Sequence, residues 1–123
     1  MSLMPMHRIT MQSRRANKLE EERQKFIQST VTTIYRNTLQ TADTTDASFY
    51  KYANEYAGPN DFTKNALDIT EQLKILFPSC KVTYTSYVMD RNGIWHDETT
   101  ITEVLKPFIV PGRRQEVIVI DWT

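Results

Sequence analysis

The sequence predicts an α+β domain, with N-terminal helices packed on a small antiparallel sheet in the order α-α-α-β-β-(short α)-β. Three observations carry this expectation. Apolar residues between Phe26 and Leu39 recur every three to four positions, and no Pro or Gly interrupts the run. A second stripe, Phe62, Ala66, Ile69, Leu73 and Leu76/Phe77, has the same period and stops at Pro78. From Lys81 onward the chain turns to β-branched and aromatic residues, which predicts about three strands. The 123 residues suit one domain with one core.

Taken in order, residues 1–12 read as a flexible or partner-docking arm and residues 13–123 as the domain. The arm holds four methionines in its first eleven residues, adaptable apolar handles without a fixed pattern. Ser13 to about Gln40 reads as a long helix. Its first half, around Glu20 to Lys25, is polar on every side, so only the half from Phe26 onward should pack. The β-branched run Thr30–Ile34 weakens helix propensity. Residues 41–48 are small and polar and read as a loop. Phe49, Tyr52, Ala53 and Tyr56 at i, i+3, i+4 and i+7 predict a short helix ending before Gly58-Pro59. Asn60 or Asp61 caps the next helix, and Leu67 and Ile75 widen its apolar face.

Lys81–Met89 and Ile94 to about Thr99 form a hairpin across Asp90-Arg91-Asn92-Gly93, because Asn-Gly tolerates the positive φ of tight turns. Thr100-x-x-Glu103 reads as a capping box for one or two helical turns closed by Pro107. Pro111-Gly112 reads as a turn, and Gln115–Trp122 as the last strand. The unbroken apolar run Val117–Ile120 marks that strand as central. Any apolar sheet face that the helices leave uncovered would be an interaction site.

Charge divides the chain. Lys and Arg total 15, as do Asp and Glu, so the net charge is zero. Residues 1–18 nevertheless carry Arg8, Arg14, Arg15 and Lys18 and no acid, and residues 19–123 sum to −4. A basic tip on a mildly acidic body is the footprint of a segment that meets an acidic surface. The overall balance argues against a general nucleic-acid binder. Cys80 is the single cysteine, so no internal disulfide forms, and no apolar run is long enough for a signal peptide or a membrane span. A reducing intracellular setting is expected: cytoplasm, nucleus or virion.

Chemistry-bearing patterns are sparse. Cys80 and His96 could make a nucleophile–base pair oriented by Asp97, but no helix N-terminus would activate the thiol. Asp90, His96, Asp97 and Glu98 could suggest a metal, yet neighbouring strand residues point to opposite faces, and the glycine falls at the fourth position of the loop where a calcium loop needs it at the sixth. With three glycines in the chain there is no phosphate-cradling loop. Arg113-Arg114 reads as solvated edge charge. No catalytic, cofactor or metal residue is assigned, and no small-molecule ligand is expected. The expectation is a non-enzymatic structural or interaction protein, a subunit of a larger assembly of the kind a virus encodes for its virion or capsid. Its partners are other protein subunits, copies of itself included. The residues expected to carry the docking are Arg8, Arg14, Arg15 and Lys18 with Trp95 and Trp122, since tryptophan anchors interfaces. One alternative is a nucleic-acid-binding accessory protein using the basic segment; another is a small enzyme with a Cys/His site.

Overall fold

A computed structural model describes residues 3–56 and 60–123, with the side chains of residues 55 and 56 left out of the description. Two helices pack on a four-stranded antiparallel sheet. Helix α1 spans Arg8–Thr44, β1 Phe49–Tyr56, α2 Asp61–Leu76, β2 Lys81–Asp90, β3 Trp95–Asp97 and β4 Ile109–Asp121, with a 3₁₀ turn at Lys106–Phe108 before β4. The sheet order is β1-β4-β2-β3. Since β4 is antiparallel to both neighbours, β1 and β2 run parallel with β4 between them.

The main departure from the sequence reading is β1. Phe49–Tyr56, expected as a helix, is a strand paired residue for residue with β4, from Phe49↔Asp121 to Tyr56↔Arg114. The physical reason is a second period in the same residues. Tyr50 and Tyr52 alternate with Phe49, Lys51 and Ala53, and the even positions face the helices. The element order is therefore α-β-α-β-β-(3₁₀)-β, with four strands where about three were expected. The Gly58-Pro59 stop lies outside the described residues.

Both ends of α1 lie beyond the expected limits, at Arg8 and at Thr44, inside the stretch read as a loop. Its β-branched run does not break it, because Val31 and Ile34 are buried and Thr30 returns its hydroxyl to the Phe26 carbonyl at 2.9 Å. Burial outweighs the small propensity cost. Helix α2 starts as expected: Asn60 accepts from the Thr63 amide, and Thr63 Oγ1 accepts from the Asn60 amide, both at 2.9 Å. Leu67 and Ile75, however, stand well exposed and do not widen its buried face.

The two helices run in the same sense. Arg23 reaches Asn65 and Asp68, Gln28 bonds Gln72, and the Tyr35 ring lies 5.4 Å from Phe77. Ile27, Val31, Ile34, Phe62, Ala66, Ile69 and Leu73 pack on Val82, Ile118 and Ile120 to form the core. All three strand residues lie on one face of the sheet, by the alternation of the registers. Val117 and Val119 lie on the other face with Phe49, Ala53, Thr83, Thr85, Tyr87 and Trp95, and neither helix packs there. β4 is central, as its apolar run predicts.

The C-terminal half holds two further differences. Pro111-Gly112 does not turn the chain; it sits inside β4, where Gly112 takes φ 78°. The register jumps there from Val88↔Arg114 to Asp90↔Ile109, so the extra length of β4 bulges out opposite Met89. The Thr100-x-x-Glu103 box caps nothing. Thr102 instead accepts the amides of Leu105 and Lys106, and Pro107 lies within the 3₁₀ turn that follows.

Candidate functional site

The polar half of α1 is the most distinctive surface. Every described residue from Leu3 to Glu22 is exposed, and the first to be buried is Ile27. Arg23 ties this half of α1 to the body. Its guanidinium bonds Glu20 at 2.9 Å, Asn65 at 3.2 Å and Asp68 at 2.6 Å. The Arg23 bond first, then one from Gln24, holds the Glu20 carboxyl down to about 2. A groove of about 280 Å³ opens there, between Leu19, Glu22, Arg23 and Phe26 on α1 and Asp61, Lys64 and Asn65 on α2. Since α2 begins at that level, residues 8–18 extend about 16 Å beyond the start of α2 as three exposed turns.

That projection carries Arg8, Arg14, Arg15 and Lys18 together with exposed Ile9, Met11 and, at its root, Leu19. Helical spacing puts Met11, Arg15 and Lys18 on one side and Ile9, Ala16 and Glu20 on the side that continues the buried face. No acidic residue stands in its first turn, and His7 at the N-cap makes no side-chain cap bond. The positive end of the helix dipole thus adds to the basic charge, a combination that favours an anionic counterpart.

The two tryptophans lie elsewhere. Trp95 is half-buried on the uncovered sheet face, in β3. Trp122 follows β4, packs against the core and donates its amide to Ser48 O at 2.9 Å. Neither adjoins the projecting helix, so the six proposed docking residues form no single patch.

At the hairpin, Asp90 is 6 % exposed and fully engaged. Its carboxylate accepts from the amides of Asn92 and Ile94 at 2.8 and 3.0 Å and lies 2.7 Å from His96 Nε2. The His96 bond first, then the amides, holds the Asp90 carboxyl below its ordinary value. Asp90, Arg91, Asn92, Leu105 and Phe108 line an open recess of about 380 Å³, with the Arg91 guanidinium 5.4 Å over the Phe108 ring.

The sequence reading grouped Asp90 and His96 only as possible metal ligands, not as a hydrogen-bonded pair. The available signal was an Asx-turn aspartate six residues before a histidine across an Asn-Gly turn. Of the four residues weighed as metal ligands, only these two meet. Asp97 accepts from Thr99, and Glu98 pairs with Arg114. Among the described residues no three His, Cys, Asp or Glu side chains converge. Cys80 precedes β2, whereas His96 pairs with Val88 near the strand's far end. Eight residue steps, about 26 Å of strand, separate the two, so the thiol–imidazole pair does not assemble. Arg114, read as an edge charge, lies on the central strand β4 and pairs with Glu98.

Comparison with known family models, curated proteins and solved structures finds no match. No helix among the described residues is long and apolar enough to cross a membrane.

Proposed function

We propose that this chain is a non-enzymatic interaction subunit that joins a larger protein assembly through the projecting first turns of α1, in a multi-copy setting such as a virion shell. The observation that supports the reading is the run of exposed residues from Leu3 to Leu19, helical from Arg8 and carrying four basic and no acidic side chains. An unsupported helix of this length is marginal in water, so a partner that orders it would give it a use. The partner's chemistry follows from the charge: an acidic protein surface with apolar niches for Ile9, Met11 and Leu19.

The test is native mass of the protein purified gently from its source, wild type against Arg14→Glu/Arg15→Glu/Lys18→Glu. The wild type should run well above twice the 14.4 kDa chain mass, and the triple variant should leave the assembly. Equal masses for the two would sink the proposal.

The same basic turns support a second reading, a nucleic-acid accessory role. It predicts binding that falls steeply and linearly with log salt, and a complex that nuclease dissolves.

A further inference from the structure

We propose that β1 pairs with β1 of a second copy about a two-fold axis, joining the two sheets into one continuous eight-stranded sheet. β1 is the outer strand on its side of the sheet, and its inner side is paired with β4 over all eight residues without a register shift. The hydrogen-bond phase identifies which of its backbone groups point outward. Trp122 donates to Ser48 O at 2.9 Å, and Ser48 continues the register of Phe49↔Asp121. In an antiparallel ladder the bonded positions alternate, so Tyr50, Tyr52 and Asn54 bond β4, while Phe49, Lys51, Ala53 and position 55 direct N–H and C=O away from the sheet.

An edge of this kind is a template for another strand unless it is protected. Two of the usual protections are absent from β1, and the third, a central lysine, is turned away from the edge. It contains no proline and no bulge, and its Lys51 ammonium lies 5.9 Å from the Tyr87 ring, drawn inward across the open sheet face. The strand is also held rigid from the helix side. Tyr50 Oη accepts from Asn37 at 3.1 Å, and the Tyr52 ring packs 5.3 Å from Phe62. A pre-formed strand loses little entropy on pairing.

The occupant is a second copy because the strand complements itself. Outward groups sit on odd residues alone, so odd must oppose odd across the join. Opposed residues share a face, which places the helices of both copies on the same side of the joined sheet. Among such registers, centring on Ala53 puts the smallest side chain of the strand at the axis. It also sets Lys51 of each copy opposite position 55 of the other, which is Glu in the sequence. Centring on Lys51 would oppose two lysines. The other sheet edge is a poorer partner. β3 is three residues long, and Glu98 closes part of β2 by donating to Ser86 O at 2.9 Å. A β1-to-β2 join would moreover be head-to-tail and open-ended.

Sedimentation velocity of the full chain over a rising concentration series should show a reversible monomer–dimer equilibrium that stops at the dimer. Ala53→Pro removes an outward N–H and leaves the β4 ladder intact, so it should weaken dimerisation by about tenfold or more. A monomer at every concentration, an open polymer, or a dimer indifferent to Ala53→Pro would each overturn the proposal. Should Ala53→Pro fail to fold by circular dichroism, cysteine pairing decides. In a Cys80→Ser background, Ala53→Cys should cross-link on mild oxidation, since bonded-pair Cα atoms lie about 5.5 Å apart. Lys51→Cys should not, its own counterpart being about 13 Å along the strand. The reverse pattern would rule out the Ala53-centred register. Arg14→Glu/Arg15→Glu/Lys18→Glu should dimerise like wild type, which separates this interface from the docking role of α1.

Discussion

Ile118 has no exposure on the central strand and belongs to the core formed with residues of both helices, whereas Ile75 is 78 % exposed on α2. Both were apolar positions in the sequence, and only the fold separates them. Ile118→Ala should cost about 2–5 kcal/mol, because it removes buried methylenes and leaves a cavity the sheet cannot close. Ile75→Ala should stay within about 0.5 kcal/mol of wild type. Urea unfolding midpoints at constant slope check both. Asp90 offers a pH signature of the hairpin. Its carboxyl is held below the ordinary value, chiefly by His96, so the native state favours the ionised form. That contribution is fully present above about pH 4 and is lost as pH falls through the lower native value. Asp90→Asn should therefore lower stability at neutral pH and flatten the decline of the unfolding midpoint below about pH 4. Parallel curves for variant and wild type would show that the pairing contributes nothing.

At the scale of elements, α1 is two segments under one hydrogen-bond ladder. Residues from Ile27 to Thr38 are anchored by the core, whereas every residue from 8 to 18 is exposed. Amide exchange in the isolated chain should be fast over residues 8–18 and slow, near the global limit, over 27–38. Uniform protection along the helix would mean that the projecting turns are held in the monomer. This division was legible in the sequence, because EEERQK is polar on every side and the stripe that follows keeps the helical period. The Asn60 cap, the Asn-Gly hairpin and the central place of Val117–Ile120 were legible for the same reason: each is a local pattern with one physical reading. β1 was not. Phe49, Tyr52, Ala53 and Tyr56 satisfy a helical period while Tyr50 and Tyr52 satisfy a strand period, and pairing with distant β4 chose between them. Leu67 and Ile75 were misread because a helix stripe shows which residues are apolar, not where the neighbouring layer ends. Pro111-Gly112 has turn composition, but the sheet absorbs it as a bulge. The Asp90–His96 contact depends on hairpin register, which composition alone does not supply.

The whole molecule combines a small body with a rod longer than the body is wide. A compact chain of this length has a radius of gyration of about 14 Å, corresponding to a sphere about 35 Å across. The 37 residues of α1 extend about 56 Å in a straight helix. Charge follows the same division, with the basic tip at one end of the rod and the acidic excess on the body. Small-angle scattering of Ala53→Pro, chosen to keep the species a single copy, should give a maximum dimension above about 55 Å and a radius of gyration above the compact value. A pair-distance curve closing near 40 Å would mean that the first turns of α1 fold back on the body. The docking role proposed for those turns would then fall, while the β1 pairing, on a different element, would still stand to be judged by the cysteine cross-link.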